Sequence, residues 1–179
     1  MIDPAISTGA ARIAARERDV SQAYRAGFAP ESNDVAVATQ KLPSADPLAV
    51  VAPEGTYFVT PAGNGAVQFS RDGGFAVRDG ELRTADGRPV LGVAFGGRAA
   101  LTPLRVDPYD AALGHASEPR IDADGTFSYA RTTIDPRNGD RRVERVAVGR
   151  IALARFPAGT QPERADGVHV RAPHGVAPH

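Results

Sequence analysis

Phe69-Ser70-Arg71-Asp72-Gly73-Gly74-Phe75-Ala76-Val77-Arg78-Asp79-Gly80-Glu81-Leu82-Arg83-Thr84-Ala85-Asp86-Gly87-Arg88-Pro89-Val90-Leu91-Gly92 is the stretch that decides the fold. It holds three Asp-Gly pairs at intervals of seven residues: Asp72-Gly73, Asp79-Gly80 and Asp86-Gly87. Such pairs tolerate the positive φ that tight hairpin turns require. Phe75 with Val77, and Leu82 with Thr84, fall on one side of the short strands between them. The interval leaves room for strands of about four or five residues, so the stretch predicts a compact antiparallel meander.

The same period extends in both directions. Upstream, Tyr57-Phe58-Val59 opens a strand from Thr56, Asn64-Gly65 offers a turn, and Val67 and Phe69 share a face of the next strand. Downstream, residues 93–120 are less periodic and read as irregular, with one or two strands around Leu101 to Val106. Ile121 to Tyr129 forms a hairpin about Asp124-Gly125, and Thr132 to Ile134 pairs with the later run across Pro136-Arg137-Asn138-Gly139. In the long candidate strand Val143 to Phe156, Val146 and Val148 are even-numbered while Ile151 and Leu153 are odd. A strict period of two cannot bury both pairs on one face. A β-bulge or bend is therefore expected at Gly149. A last short strand lies near Val168 to Arg171.

The N-terminal segment reads differently. Asp3 suits a helix cap and Pro4 the first helical position, where its missing N–H is no loss. Ile6, Ala10, Ile13, Val20 and Tyr24 then form one apolar stripe, with Arg12, Arg16, Arg18 and Arg25 mostly off it, and Gly27 is a natural stop. Two readings stand: a helix that packs on a partner chain, or one docked on its own domain or frayed at the terminus. Pro30, Pro43, Pro47 and Pro53 mark residues 28–55 as an extended connector. The expected organisation is a helix at 1–27, a linker at 28–55, a β-rich core at 56–172 and a flexible tail at 173–179.

Composition narrows the function. The chain has 179 residues, 42% hydrophobic and 23% charged, which is globular in character. With 21 basic and 21 acidic residues the formal net charge is zero, so no basic face for nucleic acid is expected. There is no cysteine for a disulfide, a thiolate metal site or a thiol nucleophile. No run approaches the roughly 18 apolar residues of a membrane span. The start, Met1-Ile2-Asp3-Pro4, lacks the basic and apolar regions of a secretory signal.

The middle of the chain resembles the flagellar basal-body rod and hook family. There, an aromatic-rich strand precedes an Arg-(Asp or Ala)-Gly-x-Phe element, an Asp-Gly pair with a Leu, and Thr-x-Asp-Gly-x-Pro-Val-Leu-Gly. Here these stand in register as Tyr57-Phe58-Val59, Arg71-Asp72-Gly73-Gly74-Phe75, Asp79-Gly80-Glu81-Leu82, and Thr84-Ala85-Asp86-Gly87-Arg88-Pro89-Val90-Leu91-Gly92. Two weaker elements follow in the family's order, Ile121-Asp122-Ala123-Asp124-Gly125-Thr126 and the strand from Val148-Gly149 to Phe156.

The resemblance implies a mainly β, antiparallel hairpin and meander domain of the rod/hook type with one N-terminal α-helix. It also implies a non-enzymatic structural subunit of the bacterial flagellar basal body, closest to a proximal rod protein. Such subunits polymerise through heterologous contacts that do not close into rings. The expected assembly interface is the stripe Ile6, Ile13, Val20 and Tyr24. The expected partners are other flagellar axial proteins and further copies of the chain, with no nucleic acid, cofactor or membrane insertion. The expected location is the periplasmic rod, reached by type III export without a cleaved signal.

The sequence departs from the family pattern in two places. Its asparagine-rich element is absent, with Ala26-Gly27-Phe28 left near that position, and no helical pattern follows Phe156 where the family carries a C-terminal amphipathic helix. The alternative is a soluble, non-polymerising binding module derived from the same family.

Other constellations do not complete a site. An EF-hand loop from Asp122 needs glycine and glutamate where Phe127 and Thr133 stand. His169, His174 and His179 recur every five residues without a carboxylate or cysteine to complete a metal set. Asp107 with Asp110, and Glu81 with Asp86, read as solvated loop carboxylates rather than an acid–base pair. Arg137, Arg141, Arg142 and Arg145 are interleaved with Asp140 and Glu144, the pattern of a solvated hairpin end.

Overall fold

A computed structural model describes residues 40–41, 46–63, 65–96 and 100–179. The protein is mainly antiparallel β. The expected N-terminal helix, its stripe and most of the connector lie outside the described residues.

The deciding stretch folds largely as its spacing predicts. β1 (Gln40–Lys41) pairs with β2 (Val50–Val51), and β3 (Thr56–Pro61) with β4 (Val67–Ser70). The β3–β4 loop has positive φ at Gly63 and Gly65; Asn64 lies outside the described residues. β5 (Ala76–Arg78) and β6 (Glu81–Arg83) meet across Asp79 (φ 53°) and Gly80 (φ 75°), a two-residue turn of the primed kind that matches strand twist. At the next turn Gly87 (φ 86°) donates to the Thr84 carbonyl at 2.9 Å and Arg83 bridges to Pro89.

The expected turn at Asp72-Gly73 does not form. β4 pairs instead with β14 (His169–Arg171) from the far end of the chain. Gly73 does not adopt positive φ; its carbonyl accepts from Val50 N at 3.1 Å, and a Cβ there would lie 1.8 Å from the Val50 carbonyl oxygen. Glycine is required here for close backbone approach, which a turn reading cannot distinguish from positive φ.

β7 (Leu91–Ala94) and β8 (Leu101–Pro103) follow, then α1 (Pro108–Ala112), β9 (Ala116–Ile121), β10 (Thr126–Ile134), β11 (Arg141–Ile151), β12 (Leu153–Arg155) and β13 (Glu163–Arg164). One five-stranded sheet has the order β8-β7-β11-β10-β9, the other β12-β3-β4-β14-β13. Residues 93–120, expected to be mostly irregular, thus contribute β9 and α1. Asp107 caps α1 by accepting from Tyr109 N at 2.8 Å, with Pro108 in its first turn.

The parity conflict in the long strand is resolved by a bulge beside the expected glycine. Phe127 faces Gly149 but Ser128 faces Ala147, so Val148 is the extra residue. The shift puts Val146, Ile151 and Leu153 against one core. Gly149 itself admits β7, since a Cβ would lie 2.5 Å from the Val93 carbonyl oxygen. Past Ala152 the chain leaves the first sheet and enters the second as β12.

Two apolar clusters fill the interior. One gathers Val50, Phe58, Phe75, Leu82, Leu104, Ile121 and Phe127; the other gathers Val59, Phe69, Leu91, Leu101, Ala154 and Phe156. β3 supplies adjacent residues to both, because its two faces are each covered. Leu48, Val50 and Ala52 are buried, so the described end of the expected connector belongs to the core. The last residues return to the body: Arg155 and His179 exchange backbone hydrogen bonds at 2.7 and 3.0 Å.

Candidate functional site

The first polar cluster sits where α1 meets β10. Residues two apart on a strand share a face, so Tyr129 and Arg131 both point toward α1. Asp110, 3% exposed, accepts from the Tyr129 hydroxyl and, at 2.5 Å, from Arg131 Nε through the same oxygen. Arg131 Nη1 also reaches Glu144 on β11 at 3.3 Å.

Burial pushes the Asp110 carboxyl up. The Tyr129 and Arg131 hydrogen bonds and the guanidinium charge outweigh it, holding the group below the ordinary carboxylate value. Burial, then the Asp110 hydrogen bond, raises the Tyr129 phenol. A carboxylate stabilised this way is a poor proton carrier near neutrality. Its role is to tie the helix to the sheet. Beside it a cleft of about 230 Å³ is lined by Arg105, Val106, Pro108, Tyr129, Val146 and Val148 among others.

Asp110→Ala leaves a buried phenol and a half-buried guanidinium without their shared acceptor. The expected loss is about 2–3 kcal/mol in urea unfolding. A carboxyl with depressed pKa contributes stability above the unfolded value and loses it as pH falls through the folded value. The difference between wild type and variant is therefore expected in full above about pH 5 and to shrink in acid.

The second cluster surrounds His169, which is 1% exposed. Its Nδ1 lies 3.0 Å from Asp166 Oδ1, and its Nε2 has no hydrogen-bond partner among the described residues, standing 3.8 Å from Asp86 Oδ2. Arg88 bonds Asp86 at 2.9 Å and approaches Asp166 at 3.6 Å. With its amide oxygen turned inward, Gln68 accepts from Arg88 at 2.7 and 3.0 Å. The backbone N–H groups of Val168 and His169, with the imidazole, hold Asp166 down at about 2.

An imidazole paired with a carboxylate resembles part of a hydrolytic triad. Its cross-strand neighbour Ser70 accepts at Oγ from the Asp72 amide at 3.0 Å, and no hydrogen bond joins it to the imidazole among the described residues. The cluster joins β14 to the Asp86-Gly87 turn. Among the described residues no group of three or more His, Asp or Glu is arranged to hold a metal ion.

The third feature is an arm. Beyond Ala116, the last β9 residue paired with it, β10 keeps one bond from Thr132 N to the His115 carbonyl and then continues with β11 alone among the described residues, with pairs running to Ile134↔Arg141. Asp135 N donates to the Asp140 carbonyl and Gly139 (φ 77°) closes the tip, as the Asn138-Gly139 signal predicts. Ile134 and Val143 are 62% and 59% exposed. The neighbouring β9 edge is protected by a bulge at Glu118-Pro119. There Glu118 takes φ 48° and its carbonyl accepts from Arg145 Nη1 at 2.8 Å.

Ile6, Ile13, Val20 and Tyr24, the expected assembly interface, lie outside the described residues. The Asp110 cluster was not legible from spacing, because Asp110 stands 19 and 21 residues from its partners. The one available signal was the alternation of Tyr129 and Arg131 on an otherwise apolar strand face.

The fold is that of a mainly antiparallel β protein built, among the described residues, on two five-stranded sheets and two small two-stranded ones. No protein-family model matches the chain, and no curated protein matches it in sequence.

Proposed function

We propose that the chain is a structural subunit of the bacterial flagellar basal body, of the rod/hook type, that works by assembling through protein–protein contacts. The observation that carries this reading is the folding of residues 56–92. The stretch bearing the resemblance forms successive antiparallel hairpins whose Phe58, Phe75 and Leu82 meet in one core. In this reading the β body presents the N-terminal stripe Ile6, Ile13, Val20 and Tyr24 to neighbouring axial subunits. The protein then resides in the periplasmic rod, delivered by type III export.

The test is Ile13→Asp in the full chain. Co-purification with other rod proteins is expected to be lost while the thermal transition of the β body stays in place. Unchanged association by light scattering would overturn the reading.

A further inference from the structure

The β10–β11 arm carries charge that nothing among the described residues answers. Arg131 is engaged by Asp110 and Glu144, and Arg145 by Glu118. Arg137, Arg141 and Arg142 have no side-chain partner among the described residues, although Asp135, Asp140 and Glu144 lie within the same arm. Asp135 accepts from the Arg137 backbone N–H and Asp140 from the Asn138 side chain. Of these, Arg141 shares a face of the arm with the exposed apolar pair Ile134 and Val143, Arg142 lies on the opposite face, and Arg137 stands at the tip.

The backbone of the arm is also open. β7 pairs with β11 only at Gly149, Arg150 and Ile151, and Phe95 N adds one bond to Val148. From Arg141 to Ala147 the side of β11 away from β10 is unpaired among the described residues. Such an edge is a template for a further strand.

We propose that this edge is an interaction surface for an extended, acidic segment of a partner protein. The segment adds as a strand beside β11, sets carboxylates against Arg141 and Arg142, and lays an apolar side chain on Val143. A second copy of the arm does not fit this surface. Between Arg141 and Ala147 each copy offers three arginines against Glu144 alone, so edge-to-edge pairing brings like charges together. The surface uses none of the residues of the N-terminal stripe, so substitutions in the two can be tested independently.

The probe is a blocked seven-residue peptide of sequence Val-Glu-Glu-Val-Glu-Glu-Val, whose adjacent glutamates reach both faces of the edge, titrated into the full chain at low salt and followed by fluorescence anisotropy. Controls are its lysine counterpart, a version N-methylated at alternate residues, and a single-stranded oligonucleotide of seven nucleotides. The glutamate peptide is expected to bind at least about tenfold more tightly than each control and to weaken as salt rises. It is also expected to slow amide exchange between Arg141 and Ala147.

The double variant Arg141→Glu, Arg142→Glu is expected to weaken binding by about tenfold or more. Both positions are exposed, so its thermal transition should match that of wild type. Equal binding of the two charged peptides, no binding, or binding retained by the double variant overturns the proposal. Preference for the oligonucleotide assigns the arm to nucleic acid, and a dimer abolished by the double variant assigns it to a second copy. Either result overturns it as well.

Discussion

Phe58→Ala is expected to destabilise the fold by about 4 kcal/mol. Phe58 is fully buried and stacks edge-on against Phe75, with ring centroids 4.9 Å apart. It sits on β3, which is covered on both faces, so a cavity there cannot be filled by closing the surface inward. Removing the ring deletes its transfer free energy and leaves a void beside backbone that Gly73 brings close. Equilibrium urea unfolding checks this, the expected signature being a lower midpoint with an unchanged slope. A loss below about 1.5 kcal/mol would mean that the residues 56–92 do not share a single packed core.

Gly73→Ala is expected to cost about 3 kcal/mol, at the upper end of overpacking. The added methyl meets the Val50 carbonyl oxygen at 1.8 Å and its carbon at 2.8 Å, both backbone atoms, so no rotamer change relieves it. Accommodation requires β2 to move away, breaking the 3.1 Å hydrogen bond from Val50 N and exposing Leu48 and Val50. Gly55→Ala is the control. Gly55 has φ 73° with nothing within 4 Å, so the substitution costs only the left-handed backbone, about 1 kcal/mol. Comparison of the two melts separates close approach from turn geometry.

That separation also explains what the sequence could and could not disclose. Asp79-Gly80, Asp86-Gly87, Asp124-Gly125 and Asn138-Gly139 were legible because a hairpin turn is a local event, and its residues are chosen by local φ. Asp72-Gly73 carries the same two letters, yet its glycine answers a carbonyl on a strand more than twenty residues earlier. No local pattern reveals that. The bulge near Gly149 was visible as a conflict of parity, since one face cannot take both even and odd residues without an extra one.

β9 escaped because an edge strand with Pro119 and three exposed side chains has no alternation to read. α1 announced itself only through Asp107-Pro108, too brief a signal for a five-residue helix. The polar clusters were hidden for another reason. Asp110, Tyr129 and Arg131, like Gln68, Asp86, Arg88 and His169, come from different elements and are matched only after the chain has folded. His169 shows the difference well: its spacing with His174 and His179 invited a metal reading, whereas the fold buries it against Asp166. The arm was legible as a hairpin with a basic end. Its open edge was not, since that depends on where β7 stops.

The passage of one strand from the first sheet to the second has a bearing on force. β11 and β12 together run from Arg141 to Arg155, on the order of 45 Å of extended chain. A tug applied at the arm therefore travels through covalent bonds into the second sheet instead of across the apolar seam between the two. Both sheets then meet the strain as shear on many parallel hydrogen bonds at once, a geometry that resists rupture better than peeling them singly.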